Sequence, residues 1–330
     1  MIERRRARLP LLALVLVAAA CEVSVEAGDA DIALRPGGSG GGGVLYDGTR
    51  IGGWSASEFV LHHYHRGIRL RRVCLGKKFN ERCLQTIGSV AGVLVGSDAQ
   101  GTYSGLALVD SRWDLDFDAQ GDGVADSTAS LKLAGRSVVA VPGGTLELID
   151  LQIDRTSVTG ALQGSLPPGT GPLPLCTPDP ARGGATAAAV LGDVSFDPAD
   201  ASFSAHAGAL HIACTSAAIG RATTLGYRPE AQGLDGFEAM VRALVGDYCG
   251  TGDPPVAPGG AVALADVWGI QTASAPLVEA RWSSGGALCL DHVRDPNIDA
   301  AEVRDLCGIP TCSAGGLGSA GELALSSLTP

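Results

Sequence analysis

Nine cysteines constrain this chain more than any other feature: Cys21, Cys74, Cys83, Cys176, Cys214, Cys249, Cys289, Cys307 and Cys312. Such a set exists as thiols in a reducing compartment or as cystines in an oxidising one. The N-terminal residues favour the second. Arg4, Arg5, Arg6 and Arg8 precede an unbroken apolar run, LLALVLVAAA, so residues 1–20 read as a secretory signal peptide. The run is too short to span a bilayer, which takes about 20 apolar residues. Cys21 follows Ala18, Ala19 and Ala20. A Cys after small residues resembles a lipobox, in which the thiol takes a diacylglyceryl group and becomes the mature N-terminus. The Leu usual three residues earlier is Ala18 here, and the same alanines also satisfy ordinary signal cleavage with a soluble product. Parity favours lipid: with Cys21 acylated, eight cysteines remain for four disulfides, and otherwise one thiol is left over. Eight cysteines can pair in roughly a hundred ways, so the connectivity stays open.

The rest of the composition fits a secreted, loop-rich protein. The chain has 47 Gly, 18 Pro and only 5% aromatic residues, with 45% hydrophobic residues to build a core. Its net charge is −11, and removing a leader that holds four arginines and one glutamate takes it to −14. An acidic surface excludes nucleic acid and anionic headgroups as expected partners, because both require a cationic footprint.

The chain divides by composition. Residues 21–43 run from Cys21 into RPGGSGGGG, a stretch too poor in apolar surface to hold a conformation, and read as a flexible tether. Residues 44–168 read as an antiparallel β domain, a sandwich or barrel, because short β-branched runs alternate with turn signals about every ten residues. In RWDLDFD, Trp113, Leu115 and Phe117 share one face while Asp114, Asp116 and Asp118 share the other. PPGTGPLP marks the expected boundary. Residues 169–312 read as α+β. Phe237, Met240, Val241, Leu244, Val245 and Tyr248 form one helical apolar stripe, with Asp235 and Glu238 as a capping box and Gly250 as the stop. Shorter helices are expected from Thr215 or Ser216 to Gly226, and from Asp299 to Cys307. Strands are expected at AVALADV, PLVEARW and ALCL. Residues 313–330 read as a low-complexity tail. The fold class is therefore α+β and β-rich.

Candidate chemistry is sparse. DFDAQGDGVAD places Asp118, Gln120, Asp122 and Asp126 at a spacing similar to calcium loops of extracellular repeats. Gln120 replaces a carboxylate and a single copy is present, so a hairpin ending in a Gly-rich turn is the first reading. Calcium on these four residues is the alternative, and no other cofactor is expected. HHYHRGIRLRRV gathers His62, His63 and His65 with Arg66, Arg69, Arg71 and Arg72. It reads as a solvated basic strand, with a metal site or a contact patch for an acidic glycan as alternatives. His292 lies beside Asp291 and near Cys289, but a cystine suits Cys289 better than a catalytic thiol. There is no G-x-S-x-G, H-E-x-x-H, P-loop or dinucleotide fingerprint. No catalytic residues are expected.

Four segments follow one another in a fixed order: PLC at Pro174, ACTSAAIGRATTLGYRP at Ala213, VRALVGDYCGTG at Val241 and VEARWSSGGALC at Val278. In this order they resemble the ADYC-domain family of presumed bacterial lipoproteins, with the motif written here as Gly246, Asp247, Tyr248 and Cys249. The resemblance covers roughly residues 170–295 and implies no established activity. It also implies two further cysteines, at positions occupied here by Ala222 and Met240, and loss of one whole disulfide would remove both together. On that basis the expected pairs are Cys176–Cys214 and Cys249–Cys289, with Cys74–Cys83 and Cys307–Cys312 as local clips. Tyr248 is expected on the buried face, and Asp247 is expected to pair with Arg228 or Arg281. The function expected is that of a cell-envelope lipoprotein, a binding or structural module held to the outer membrane or cell surface by its lipid. Its partner would be an envelope protein or polysaccharide. The alternatives are an envelope hydrolase acting on polysaccharide or peptide, and a calcium-stabilised adhesion module.

Overall fold

The computed structural model describes residues 46, 48, 49, 51, 56–76, 80–254, 262–313, 317 and 320–328. The leader, Cys21 and the Gly/Ser tether expected from the sequence lie outside them. In chain order the strands begin with β1 (Glu58–Val60), β2 (Tyr64–His65), β3 (Ile68–Leu75) and β4 (Arg82–Cys83). A meander of β5 (Thr86–Val90), β6 (Val93–Asp98) and β7 (Gly101–Ser104) follows, then β8 (Arg112–Phe117), β9 (Ser127–Val141) and β10 (Gly144–Asp154). A single helical turn, α1 (Ala161–Ser165), leads to β11 (Leu173–Pro174), β12 (Ala188–Asp197) and β13 (Ser202–Cys214). Helices α2 (Ala218–Thr224) and α3 (Pro229–Val245) come next, then β14 (Val262–Asp266), β15 (Leu277–Ser283), β16 (Gly286–Leu290), α4 (Ala300–Cys307) and β17 (Ala324–Leu328).

The largest sheet runs β1-β13-β12-β10-β9-β8-β3-β2, with β11 on β10 and β4 on β3. Its strands all pair antiparallel. Beside its end strands, isolated bridges link Val60 with His63 and Leu61 with Leu70, and β1 packs against both β2 and β3. No ladder closes the sheet into a barrel. Its inward side chains, among them Phe59, Leu70, Trp113, Leu115, Phe117 and Ile212, form one core. The alternation of RWDLDFD is borne out: the apolar residues enter that core and the aspartates face the other way. Those aspartates are nonetheless covered, because the basic strand lies beside them. Arg69 pairs with Asp116 at 2.5 Å and Arg72 with Asp114 at 2.6 Å, in the β3–β8 register. The basic strand is thus neutralised by its neighbour.

The break expected at residue 168 does not separate two sheets. β10 pairs with both β9 and β12, so the ladder crosses it. Strands β12 and β13 then serve two cores. Val190 and Ile212 face the first. Leu191, Val194, Phe196 and Ala213 face a second, shared with α2, α3 and the sheet β14-β17-β15-β16. Helix α3 packs against β13, β15, β16 and β17, and the stripe residues Phe237, Met240, Val241, Leu244 and Val245 are all buried. Pro229 opens α3, and Gly233 at φ 74°, ψ 165° divides it before the long stretch begins. The expected capping box does not form. Glu238 instead accepts from Arg242 and from Phe203 N at 3.3 Å. The stop is Gly246 rather than Gly250. Gly246 adopts the left-handed conformation at φ 73° and its N–H bonds Arg242 O, a conformation that glycine takes without a Cβ clash.

A correction concerns the C-terminal residues. The expected tail contains β17, which lies between β14 and β15. Its Ser326 is fully buried and accepts from Trp282 Nε1 at 2.8 Å. Ser326 is thus held by the indole N–H of a buried Trp, a contact that composition does not display.

The four disulfides include two of the expected pairs, Cys74–Cys83 and Cys176–Cys214. The other two are corrected to Cys249–Cys307 and Cys289–Cys312. The reason is the course of the chain after α4. Leu290 N donates to Pro310 O at 2.9 Å, so the segment leaving the helix runs beside β16 and brings Cys312 to Cys289. The end of α4 is then left facing Cys249.

Candidate functional site

The motif residues Gly246 to Cys249 form a turn at the end of α3, and both of its polar side chains, Asp247 and Tyr248, are engaged. Asp247 is fully buried. Its carboxylate accepts from Tyr46 Oη at 3.1 Å, Thr251 N at 3.1 Å and Gly252 N at 3.0 Å, and from Arg242 Nη1. The expected partners lie elsewhere: Arg281 pairs with Glu322 at 2.7 Å and Arg228 with Glu230 at 3.8 Å. Arg242 also donates to Glu238 Oε1 at 2.7 Å and to Asp200 O at 3.0 Å. Burial alone would lower its pKa, but the Glu238 hydrogen bond and the Asp247 charge outweigh it and raise the pKa instead. Five residues from three stretches of chain are thereby joined: Tyr46, Asp200, and Glu238, Arg242 and Asp247.

Tyr248 opens a second network. Its ring stacks on Trp282 at 5.4 Å and its hydroxyl donates to Glu279 Oε1 at 2.6 Å. Glu279 is fully buried and takes a two-point contact from Arg294, Nε to Oε1 and Nη2 to Oε2, both at 2.7 Å. Arg294 also donates to Leu244 O at 2.9 Å and Ala243 O at 2.7 Å, the free carbonyls of the last turn of α3. A cation there suits the negative end of the helix dipole. Burial and the charge of Glu279 raise the pKa of the Tyr248 hydroxyl, as burial and Asp247 raise that of Tyr46, so both phenols stay protonated. Cys249 is a half-cystine. The turn therefore offers no free nucleophile or base.

The other sequence candidates are not brought together. Asp118 accepts from Gly121 N at 2.6 Å and Gly123 N at 2.8 Å, and these loop N–H groups hold its pKa down although burial would raise it. Asp126 accepts from Ala119 N at 2.6 Å and Gln120 Nε2 at 2.8 Å, while Asp122 accepts from Val124 N at 2.9 Å. These carboxylates serve their own turn. Among the described residues, the group of His, Cys, Asp or Glu donors within 4.8 Å of one another is Cys74, Glu81 and Cys83, and its two sulfurs are joined as a cystine. His62 contacts Arg71 O at 3.1 Å and His292 contacts Val278 O at 2.8 Å. Cys289 has no thiol to offer His292.

Sequence reasoning missed a cluster around Glu58, whose members lie far apart in the chain. Glu58 Oε2 lies 2.7 Å from His65 Nε2 and 3.0 Å from Ser195 Oγ, and Oε1 lies 3.1 Å from His211 Nδ1. Burial would raise the carboxyl pKa, but the hydrogen bond and charge of His211, the N–H of Phe196 and the charge of Arg66 lower it to about 2. The residue types are those of a hydrolytic triad, but the geometry is not. His65 uses the same nitrogen, Nε2, toward both Glu58 and Ser195, at 2.7 and 3.2 Å. A proton relay needs one ring nitrogen for the carboxylate and the other for the nucleophile.

The sequence model of the ADYC domain matches residues 106–296. No curated protein and no solved structure matches the chain.

Proposed function

The chain belongs to the ADYC-domain family, and from that premise we propose that it is an exported cell-envelope lipoprotein acting as a binding or structural module without catalysis. Its motif turn would be the internal lock that fastens the N-terminal tether to the folded body. The observation that carries this reading is the contact of Tyr46 with Asp247. Tyr46 follows the Gly/Ser stretch within a few residues, is fully buried, and packs its ring on Phe196 at 5.3 Å. Four disulfides are the chemistry of an exported protein. Among the described residues no helix is long and apolar enough to cross a membrane. The attachment proposed here is through the acyl chains of Cys21.

The test has two arms. Mass spectrometry of the mature N-terminal peptide should find a diacylglyceryl group on Cys21, and Cys21→Ala should move the protein from the membrane to the soluble fraction. Hydrogen exchange should show that Asp247→Asn lowers protection at Thr49 and Ile51 more than at β9. An unmodified Cys21 would remove the anchor, and unchanged protection at those residues would remove the lock.

A further inference from the structure

The loop between β11 and β12 is pinned at both ends to the residues that open α2. Cys176 is joined to Cys214, Thr177 Oγ1 lies 2.9 Å from Ser216 Oγ, and Thr215 N donates to Ala187 O at 2.9 Å. Inside it, Asp179 is 3% exposed and uses Oδ1 to accept from Ala181 N at 3.0 Å. Its Oδ2 is buried with no hydrogen-bond partner, and so are Arg182 Nε, Arg221 Nε and Thr215 Oγ1. Buried polar atoms are ordinarily paired, and a gathering of unpaired ones marks a place for a guest. Among the described arginines, Arg182 and Arg221 alone have neither an ion pair nor a side-chain hydrogen bond; even Arg155 and Arg304 donate to carbonyls. Burial and the charge of Arg182 lower the pKa of Arg221 against the pull of Asp179, so the two cations and the carboxylate lie within electrostatic reach of one another.

We propose that Arg182 and Arg221 form a binding site for an oxyanion, a carboxylate or phosphate group. Two guanidiniums against one carboxylate leave a positive charge over in a half-buried setting, where an unpaired charge is costly. An oxyanion can take N–H bonds from both guanidiniums. The chain's net charge of −11 repels anions at a distance, so affinity here would come from short contacts. The site gives a ligand class to the binding module proposed above and rests on that reading only for the ligand's cellular setting. Its failure would leave the acylation and exchange tests untouched.

The experiment is calorimetric titration of the disulfide-intact mature protein, at low ionic strength, with inorganic phosphate and separately with trigalacturonate. One saturable site is expected for at least one of them: phosphate alone assigns a phosphate group, and trigalacturonate alone assigns a uronate. Arg182→Gln and Arg221→Gln should each weaken binding roughly tenfold or more, as loss of a charge-assisted hydrogen bond does. Arg182 lies on the exposed loop, so its variant keeps the test open should Arg221→Gln fail to fold. Asp179→Asn keeps the oxygen that bonds Ala181 and removes a competing charge, so it should tighten binding. Lys132→Gln, which removes a distant surface cation paired with Asp110 at 2.7 Å, should change nothing. The proposal is overturned if neither probe saturates, if both arginine variants bind like the parent protein, or if Asp179→Asn weakens binding.

Discussion

Asp247 is fully buried and bonded to four partners, the Tyr46 hydroxyl, the Arg242 guanidinium and the N–H groups of Thr251 and Gly252. Removing one member of a buried ion pair leaves the other uncompensated, at a cost of about 3–5 kcal/mol. Asp247→Ala should therefore lower the unfolding free energy by that order in urea denaturation, whereas Tyr46→Phe, which keeps the ring, should cost about 1 kcal/mol. Glu58 sets an acid dependence. Its folded pKa of about 2 lies below the ordinary 4.5. The resulting stabilisation is fully present above about 4.5 and is lost as pH falls toward 2, a change of about 3 kcal/mol. Denaturation midpoints measured from pH 5 to pH 2 should fall more steeply in the parent protein than in Glu58→Gln. Neither residue's role was legible in the sequence. Asp247 finds Arg242 one helical turn back, but also needs Tyr46 from the far N-terminus, and Glu58 finds Ser195 and His211 across two strands.

At the scale of elements, helix α3 was the most legible part of the chain. Its stripe is local, so burial on one side follows from the spacing alone. Its other face could not be read: Glu238 and Arg242 suggest a solvated i,i+4 pair, yet both are buried because the helix is covered by sheets on more than one side. Its true end lies at Gly246, where Ala would have to adopt the left-handed conformation. Gly246→Ala should cost about 1–2 kcal/mol, read as a shift in midpoint without a change in slope. Disulfide pairing was half legible. Cys74 and Cys83 sit opposite each other on paired strands, whereas the Cys289 and Cys249 bridges depend on where the chain turns after α4. A non-reducing peptide map should link Cys249 to Cys307 and Cys289 to Cys312. Replacing both cysteines of the Cys249–Cys307 bridge, which closes 58 residues, should cost about 4 kcal/mol in the chain-entropy model, against about 2.5 for the nine-residue Cys74–Cys83 loop.

At the scale of the molecule, the same strands line two cores, so the parts of the chain before and after residue 168 stabilise each other. A fragment covering residues 169–330 would leave β12 without β10 and β13 without β1, exposing the edges and apolar faces of both. Expressed alone it should lack the sharp cooperative melt of the full chain, which differential scanning calorimetry would show. Calcium should leave the melting temperature of the full chain unchanged, because the carboxylates of the Asp118 turn are already taken by the turn's own N–H groups. Legible along the chain were its local and compositional features: the β-rich class, the alternation of RWDLDFD, the helix stripe, and a cystine framework suited to export. These follow from periodicity and residue chemistry, which act over a few positions. Folding is what sets the Cys249–Cys307 and Cys289–Cys312 pairs, lays Arg69 and Arg72 against Asp116 and Asp114, and brings Tyr46 to Asp247. Such contacts depend on strand order, and strand order is settled by burying apolar faces from distant segments together.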